Sequence, residues 1–391
     1  MTEVLWLTPV PPDRGGGGGH VRQAHLLAAL AERSAVHLVC AGRVRDPAVR
    51  SAAASVVELG VEEVDWSRLP TWRRRAADVR LAFGSVPREV AAFAPVARAM
   101  EAEVARAAAE VVVVEYAGLA PLVAHRRAGQ RWVLTMHNVL SVMASQQAAA
   151  ETGRRQRWLY SRDARIARRW ERRLLPRYDR VIAVSGDDSS ALGGSAAVVP
   201  NGVDTAKFRP AALPPDPSVV FTGALYTGPN QDGIGWFCRE VWPRVRDMVP
   251  GATLAVVGAR PPDEVSRLAS LSGVSVHADV EDTYPYIAAA RVAVVPLRVG
   301  SGTRLKALEA MSCARPVVGT TVGLAGLGLV DGRHAAFADD PRGFAAAVRR
   351  ALEDDTWAAS LGAEGRRLVE ARFDWQAIGR RFADVILDAG D

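Results

Sequence analysis

A glycine-rich turn followed by charged helix positions is the strongest candidate for chemistry in this sequence. Residues 300–311 read Gly-Ser-Gly-Thr-Arg-Leu-Lys-Ala-Leu-Glu-Ala-Met and follow an apolar run. Small residues at a helix N-terminus expose backbone N–H groups, and the helix dipole adds to their attraction for a phosphate. The pattern predicts an anion site at Ser301, Gly302 and Thr303.

Lys306 strengthens this prediction. Among the 49 basic residues of the chain only Lys207 and Lys306 are lysines. A compact ammonium binds phosphate as a point charge, whereas Arg binds it as a planar fork. Lys306 and Glu309 are three residues apart and share one helix face. A cation for a phosphate beside a carboxylate for ribose hydroxyls indicates a nucleoside diphosphate.

A second glycine loop, Gly15–Gly19, lies between a predicted strand and a predicted helix over Val21–Ala31. Five glycines allow close backbone approach to a ligand, which favours a role for Gly18 and Gly19. The loop is neither a G-x-G-x-x-G dinucleotide motif nor a P-loop. A flexible connection is the alternative.

Two more candidates also follow predicted strands. His137 ends one strand, where it could direct a donor to a ligand, although a lone histidine is often structural. Gly223 opens a loop that runs to Asp232, and its glycines permit approach to a phosphate. Within that loop Asn230 and Asp232 could bind a ligand, but capping of the next helix is the favoured interpretation.

Short β-branched runs alternate with helical patterns from end to end, which predicts an α/β fold with parallel sheets. The expected strands are Val4–Leu7, Val36–Cys40, Val111–Glu115, Trp132–Met136, Arg180–Val184, Ala197–Val199, Val219–Thr222, Ala252–Gly258, Val274–His277, Ala293–Pro296 and Pro316–Gly319. Two such sets indicate two doubly wound domains that divide after Asp204. Because ligands sit at the carboxyl ends of strands in such sheets, we expect a cleft between facing domains.

Composition limits the other functions. The chain of 391 residues is 49% hydrophobic and 24% charged, and has no apolar run long enough to cross a bilayer. The start lacks a basic signal-peptide region, so we expect a cytoplasmic protein. Three scattered cysteines indicate neither a disulfide framework nor a zinc site. No acidic pair has a partnering His or Glu motif, so no metal and no other cofactor is expected.

The net charge of +6 is uneven: up to Asp204 there are 28 arginines against 21 acidic residues. Ten arginines fall in Arg154–Arg177, a helical pattern. A solvated helix is the simplest interpretation, and contact with a membrane surface or an anionic acceptor is the alternative. We do not expect a nucleic acid partner, because no nucleic-acid-binding module accompanies the patch.

Taken together, the motifs resemble the retaining glycosyltransferases of family 4, which have the GT-B fold. The likeness covers nearly the whole chain. Its carriers are Gly18-Gly19, His137, Val199–Asp204 with Phe208 and Pro210, Leu308–Met311, Arg315–Val318 and Phe373–Trp375.

The resemblance implies two Rossmann-like domains, 1–204 on the acceptor side and 205–372 for the donor, with a last helix over about 373–391 that packs on the first. It implies that Glu309 binds the ribose of a nucleotide sugar and that the Gly302 and Thr303 amides meet the diphosphate. Gly18 and Gly19 would face the diphosphate, and His137 would lie beside the donor sugar. Transfer would retain the anomeric configuration, without a metal and without a dedicated base.

Two departures from the family pattern matter. Better-known members have a glutamate eight positions before the one at 309, where this chain has Ser301, and an Arg and a Lys in the loop that here runs from Gly223 to Asp232. We therefore expect Arg304 and Lys306 to supply the displaced positive charge.

Other classes remain open at this point. A noncatalytic GT-B-like protein that binds sugar nucleotides, or a scaffold, is the main alternative. A glycan phosphorylase would need a lysine for pyridoxal phosphate, and an epimerase would need acid–base groups around a hexose. For a transferase, UDP is slightly favoured over GDP. The hydroxyl acceptor could be a lipid-linked glycan, a polysaccharide or a natural product.

Overall fold

The computed structural model describes residues 1–15, 18–61, 84–151, 153–299 and 304–388. The chain forms two compact units, one of residues 1–200 with 376–391 and the other of residues 201–375. Each is an α/β unit built on one parallel sheet, as the alternation of strand and helix patterns predicted.

The sheet of the first unit has seven strands in the order β3-β2-β1-β4-β5-β6-β7. Their bounds are β1 Thr2–Thr8, β2 Ser34–Cys40, β3 Ser55–Glu58, β4 Val111–Glu115, β5 Arg131–Thr135, β6 Arg180–Ala183 and β7 Ala197–Val198. The helices are α1 Gly18–Ala31, α2 Pro47–Ala52, α3 Arg88–Arg106, α4 Leu140–Ala150, α5 Arg154–Leu174 and α6 Gly186–Ala191, with 3₁₀ segments over Ala117–His125 and Leu175–Arg177. The central strands β1, β4 and β5 are nearly all apolar and buried, as parallel strands covered on both faces must be.

The sheet of the second unit has six strands in the order β10-β9-β8-β11-β12-β13. These are β8 Ser218–Thr222, β9 Thr253–Gly258, β10 Val274–Ala278, β11 Val292–Val295, β12 Val317–Gly319 and β13 Ala336–Phe337. The helices are α7 Gly228–Trp236, α8 Trp242–Met248, α9 Asp263–Ser266, α10 Tyr284–Ala289, α11 Leu305–Ser312, α12 Pro341–Glu353 and α13 Asp355–Arg372, with a π segment at Phe237–Val241 and a 3₁₀ segment at Arg267–Ser270.

The last helix, α14 over Trp375–Leu387, belongs to the first unit from residue 376 onward. Its Phe382 ring is fully buried, with its centroid 5.7 Å from that of Trp6 on β1. The Arg131 guanidinium at the start of β5 donates to the carbonyls of Ile386, Leu387 and Asp388. These contacts fix the C-terminal end of the helix, whose last carbonyls lack partners within the helix.

Each strand expected from the sequence is present to within two residues at either end. The short strands β3 and β13 were missed, because four and two residues are too few to show a period. Helix α1 begins at Gly18 rather than Val21, so Gly18 and Gly19 form its first turn. A first turn tolerates glycine because its N–H groups have no partner within the helix.

Helix α5 is amphipathic, with all its exposed charge of one sign. Eight of its nine arginines are exposed, whereas its two acidic residues, Asp163 and Glu171, are buried. Trp158 lies on the arginine face with 51% of its surface exposed. The expected helix is therefore present, with an exposed face of positive charge.

Candidate functional site

In both sheets the strand order reverses direction beside the first strand of the unit. The reversal lies between β1 and β4 in the first unit and between β8 and β11 in the second. At such a switch point the loops after adjacent strands diverge and leave room for a ligand at the carboxyl edge. The described candidates from the sequence follow strands at or next to these two points.

In the second unit, Lys306 on α11 reaches the loop that follows β8. Its Nζ donates a hydrogen bond to Asn230 Oδ1 at 2.5 Å and lies 4.3 Å from the centroid of the Phe221 ring. Asn230 Nδ2 in turn donates to the Ala224 carbonyl at 2.8 Å. The structure thus brings together two of the predicted residues, Lys306 and Asn230, that are 76 positions apart in the chain.

Gly223 belongs to the same cluster. A Cβ at this position would lie 2.8 Å from Lys306 Nζ and 3.0 Å from Asn230 Nδ2. Both distances are shorter than ordinary van der Waals contact, so a larger residue would displace the ammonium. Glycine at this position therefore lets Lys306 approach the backbone of the loop.

Burial changes the protonation of both charged residues on α11. It lowers the pKa of Lys306 to about 7, an effect that Arg304 increases and Glu309 opposes. It raises the pKa of Glu309 to about 7, while Lys207 and Lys306 lower that pKa and Asp282 raises it. A diphosphate beside Lys306 would favour the charged ammonium, so binding would take up a proton.

Arg304 precedes α11 and is buried, with 7% of its surface exposed. Its Nε and Nη2 donate to the Val322 carbonyl at 3.2 and 3.0 Å. These hydrogen bonds tie the start of α11 to the segment after β12. Ser301, Gly302 and Thr303 lie outside the described residues.

The favoured interpretation of Asn230 and Asp232 as helix caps is wrong. Thr227 holds the N-cap position of α7, and no side chain caps that end. Asn230 binds Lys306 instead, and Asp232 forms an ion pair with Arg298. Both side chains point to partners outside their own helix, which a local sequence pattern does not reveal.

In the first unit, His137 lies two residues beyond β5 and is mostly buried. Its Nε2 is 2.6 Å from Oε2 of Glu115, the last residue of β4. The Tyr116 ring stacks parallel to the imidazole with 3.9 Å between centroids. The predicted His137 therefore belongs to a cluster at the carboxyl ends of adjacent strands.

The first turn of α1 completes this cluster. A Cβ on Gly19 would lie 2.2 Å from Tyr116 Oη and 3.5 Å from His137 Nδ1. The Tyr116 ring can lie beside the first turn of α1 only because residue 19 has no side chain. Gly19 and His137, both predicted from the sequence, thus lie within one cluster.

Sequence reasoning missed Glu115, Tyr116 and Arg22. Arg22 on α1 is fully buried, and its Nη1 donates to the Pro200 carbonyl at 2.9 Å. Burial lowers its pKa to about 10, against the attraction of Glu115 and Tyr116. A signal for Glu115 was present, because a carboxylate directly after four valines ends a buried strand at the ligand edge.

Among the described residues, no group of three or more His, Cys, Asp or Glu side chains is arranged to hold a metal ion. Over the same residues, no helix combines the length and apolar character that a membrane span needs. The acidic pairs Asp339-Asp340 and Asp354-Asp355 have a structural role, because Asp340 and Asp354 accept hydrogen bonds from the first turns of α12 and α13.

Two Rossmann-like units with switch-point clusters define the GT-B class of fold. Family descriptions agree: residues 16–207 match the model "Glycosyltransferase Family 4", and residues 216–354 match "Glycosyl transferases group 1". Together the two glycosyltransferase models match most of the chain.

Curated relatives are similar over part of their length. A relative from Mycolicibacterium smegmatis, named GDP-mannose-dependent alpha-(1-6)-phosphatidylinositol monomannoside mannosyltransferase, is 31% identical over 51% of this chain and 58% of its own. Glycogen synthase of Mycobacterium tuberculosis is 27% identical over 63% of each chain. The chain thus spans about three fifths of these relatives.

Solved structures share the fold over nearly the full chain. Sucrose-phosphate synthase from Thermosynechococcus elongatus superposes with a TM-score of 0.72 at 21% identity, covering 98% of both chains. HepE from Anabaena, solved with UDP and glucose, gives a TM-score of 0.62 at 15% identity, covering 98% of this chain and 99% of its own. At these identities the likeness concerns the fold.

Proposed function

We propose that this protein transfers a sugar from a nucleoside diphosphate sugar to a hydroxyl acceptor, with retention of the anomeric configuration. The observation that carries the proposal is the Lys306 cluster of the second unit. A partly buried ammonium held by Asn230 over Gly223, at a sheet switch point, suits the diphosphate of such a donor.

In this proposal each α11 residue has a distinct task. Lys306 binds the diphosphate and offsets the negative charge that grows on it as the bond to the sugar breaks. Glu309, one helical turn further on, accepts hydrogen bonds from the ribose. Arg304 adds positive charge while its guanidinium anchors the start of α11 at the Val322 carbonyl. The amides of Gly302 and Thr303, with Ser301, meet the phosphates.

The first unit would hold the sugar through His137 and approach the phosphates with Gly18 and Gly19. No metal is needed in this proposal, because fixed cations and amides supply the charge stabilisation, and no dedicated base is needed if the leaving diphosphate takes the acceptor proton.

The names of the relatives leave the donor base open between guanosine and uridine. The M. smegmatis relative is named for GDP-mannose, whereas HepE was solved with UDP and with UDP-glucose. The proposal is therefore a nucleoside diphosphate sugar, and both bases belong in the test. The phosphatidylinositol in the name of the relative supports a lipid-linked acceptor over a soluble one.

Turnover of radiolabelled UDP- and GDP-sugars tests this function. We expect hydrolysis or transfer by the wild-type protein, and NMR of the product should give the same anomeric configuration as the donor. Lys306→Ala should lower kcat/KM by about tenfold to a hundredfold. Arg342→Ala, which removes one exposed charge on α12, is the matched control. Binding of donors without any turnover would favour the noncatalytic alternative.

We also propose that the arginine face of α5 contacts an anionic membrane surface, where a lipid-linked acceptor would be found. Eight exposed arginines with no exposed acid, and Trp158 among them, have the composition of an interfacial helix.

A further inference from the structure

The His137 cluster contains a buried carboxylate that the proposed function does not use. Glu115 is fully buried, and only its Oε2 is engaged by His137. Its Oε1 has no hydrogen-bond partner among the residues the structure describes. A buried carboxylate is costly unless it is paired, and the buried Arg22 guanidinium and the His137 ring are the groups that offset the charge of Glu115.

The contact with Glu115 decides which imidazole nitrogen carries the proton. A carboxylate accepts hydrogen bonds, so the short Nε2–Oε2 contact places a hydrogen on Nε2 of His137. Burial lowers the pKa of His137, and Arg22 and His20 lower it further, although Glu115 opposes them. A neutral ring with its proton on Nε2 has a lone pair on Nδ1.

Tyr116 fixes the plane of that ring. Its φ of +68° is unusual for a bulky residue and costs about 1–3 kcal/mol. This backbone conformation accompanies the stacked ring at 3.9 Å from His137. Strain of this kind persists where the surrounding structure enforces it, and it concentrates at functional sites.

Both side chains converge on the same turn. Tyr116 Oη and His137 Nδ1 each lie close to the position that a side chain on Gly19 would occupy. A group that binds Nδ1 must donate a hydrogen bond, which a sugar hydroxyl does and a carboxylate or phosphate oxygen does not.

We propose that Glu115 and Tyr116 are positioning residues that hold His137 with its proton on Nε2, so that Nδ1 accepts a hydrogen bond from a hydroxyl of the sugar. This inference rests on the proposed function for the identity of the ligand. It adds Glu115 and Tyr116 to the site. It also predicts that the site prefers an uncharged sugar hydroxyl at Nδ1 of His137.

The protonation pattern is measured directly by NMR of the protein labelled with ¹⁵N-histidine, with His137→Asn used for assignment. We expect Nε2 to carry hydrogen and Nδ1 to be unprotonated from neutral pH upward. In Glu115→Gln the amide can donate to Nε2, so we expect this pattern to be lost or mixed. Tyr116→Phe should retain it, because the ring remains.

The chain provides a matched control. His37 Nε2 also lies 2.6 Å from a carboxylate, Glu3 Oε2, but these two side chains are 38% and 46% exposed, far more than those of His137 and Glu115. Glu3→Gln should leave the His137 signals and sugar transfer unchanged. Glu115→Gln should lower kcat/KM for transfer by about tenfold to a hundredfold while the affinity for UDP or GDP alone changes less than about twofold.

A proton on Nδ1 in the wild-type protein, or an unchanged pattern in Glu115→Gln, overturns the proposal. So does a changed pattern with unchanged sugar transfer. Absence of any donor binding and turnover in the wild-type protein would instead refute the proposed function, and the NMR pattern would still decide whether Glu115 positions the His137 proton.

Discussion

Lys306 is the residue on which the donor site depends most. Its ammonium is held by the Asn230 side chain and the Phe221 ring, and its own pKa is lowered to about 7 by burial. A lysine that is half charged near neutral pH gains charge when a diphosphate binds. Binding of the donor should therefore depend on pH.

The diphosphate of a nucleotide sugar does not titrate near neutral pH. A pH dependence of binding in this range therefore comes from groups of the protein. Below pH 7 Lys306 is charged, and its attraction for the donor is complete. Above pH 7 affinity should fall, by up to about tenfold per pH unit. Calorimetric titrations with UDP- and GDP-sugars between pH 6 and 9 measure this slope.

Lys306→Arg should flatten the slope because a guanidinium stays charged over this range. Glu309, whose pKa is also raised to about 7, titrates in the same window. The comparison is therefore repeated in a Glu309→Gln background, which removes the titration of Glu309. An equal slope with Arg at 306 would contradict the role given to Lys306.

At the scale of elements, helix α5 stabilises the helices beside it with buried carboxylates. Helix α4 begins at Leu140, and its N-cap residue Val139 has no capping side chain. Glu171 of α5 accepts a hydrogen bond from Ser141 N at 3.1 Å and takes that role. Asp163 accepts from Arg88 N at the start of α3 in the same way.

Loss of this cap should destabilise the first unit. Glu171→Ala should lower the free energy of unfolding by about 1–2 kcal/mol, the usual effect of removing an N-cap. Urea denaturation measures it. Glu103→Ala, which removes a surface partner of Arg106, should cost less than about 1 kcal/mol. Equal effects of the two substitutions would show that Glu171 is no more than a surface charge.

The opposite face of α5 carries the proposed membrane contact. Vesicles of phosphatidylcholine with phosphatidylglycerol should bind the wild-type protein, and binding should weaken with salt. Reversal of Arg165, Arg169 and Arg172 to Glu should weaken it by more than about tenfold. The same charge change at Arg342, Arg349 and Arg350 on α12 is the control, and an equal loss there would exclude a specific face.

At the scale of the whole molecule, the chain returns to its first unit with α14. Phe382 packs against Trp6 of β1, and Ile378, Ala383 and Ile386 of the same helix are buried as well. Phe382→Ala should cost about 3–5 kcal/mol. Hydrogen exchange of the β1 amides measures this loss of stability in the first unit. Asp384→Ala, which removes the exposed partner of Arg33, should leave that exchange nearly unchanged.

The fold was predictable because the buried strands of a parallel sheet are short apolar runs, and these runs alternate along the sequence with helical patterns. Strand β4 is an example, since four valines and a glutamate define both its extent and its ligand edge. The edge strands β3 and β13 are too short to show the alternation of apolar and polar residues that identifies a strand, so they were not predictable from the sequence.

The site was predictable where residue type and spacing act together, as for Lys306 and Glu309 on one helix face. The site was not predictable where a side-chain contact joins residues that are far apart in the sequence. The pairing of Asn230 with Lys306 and of His137 with Glu115 arises from strand order, which a linear pattern does not contain. For that reason the sequence assigned Asn230 to a helix cap and Glu115 only to the end of a strand.

Calorimetric titration of UDP and GDP into the wild-type protein and Lys306→Ala tests the central claim most directly. We expect at least one of the two nucleotides to bind the wild-type protein, and Lys306→Ala to weaken that binding by about tenfold to a hundredfold. Arg342→Ala, with the same loss of charge, should bind as the wild-type protein does. Failure of both nucleotides to bind, or equal affinity with and without Lys306, would contradict the account.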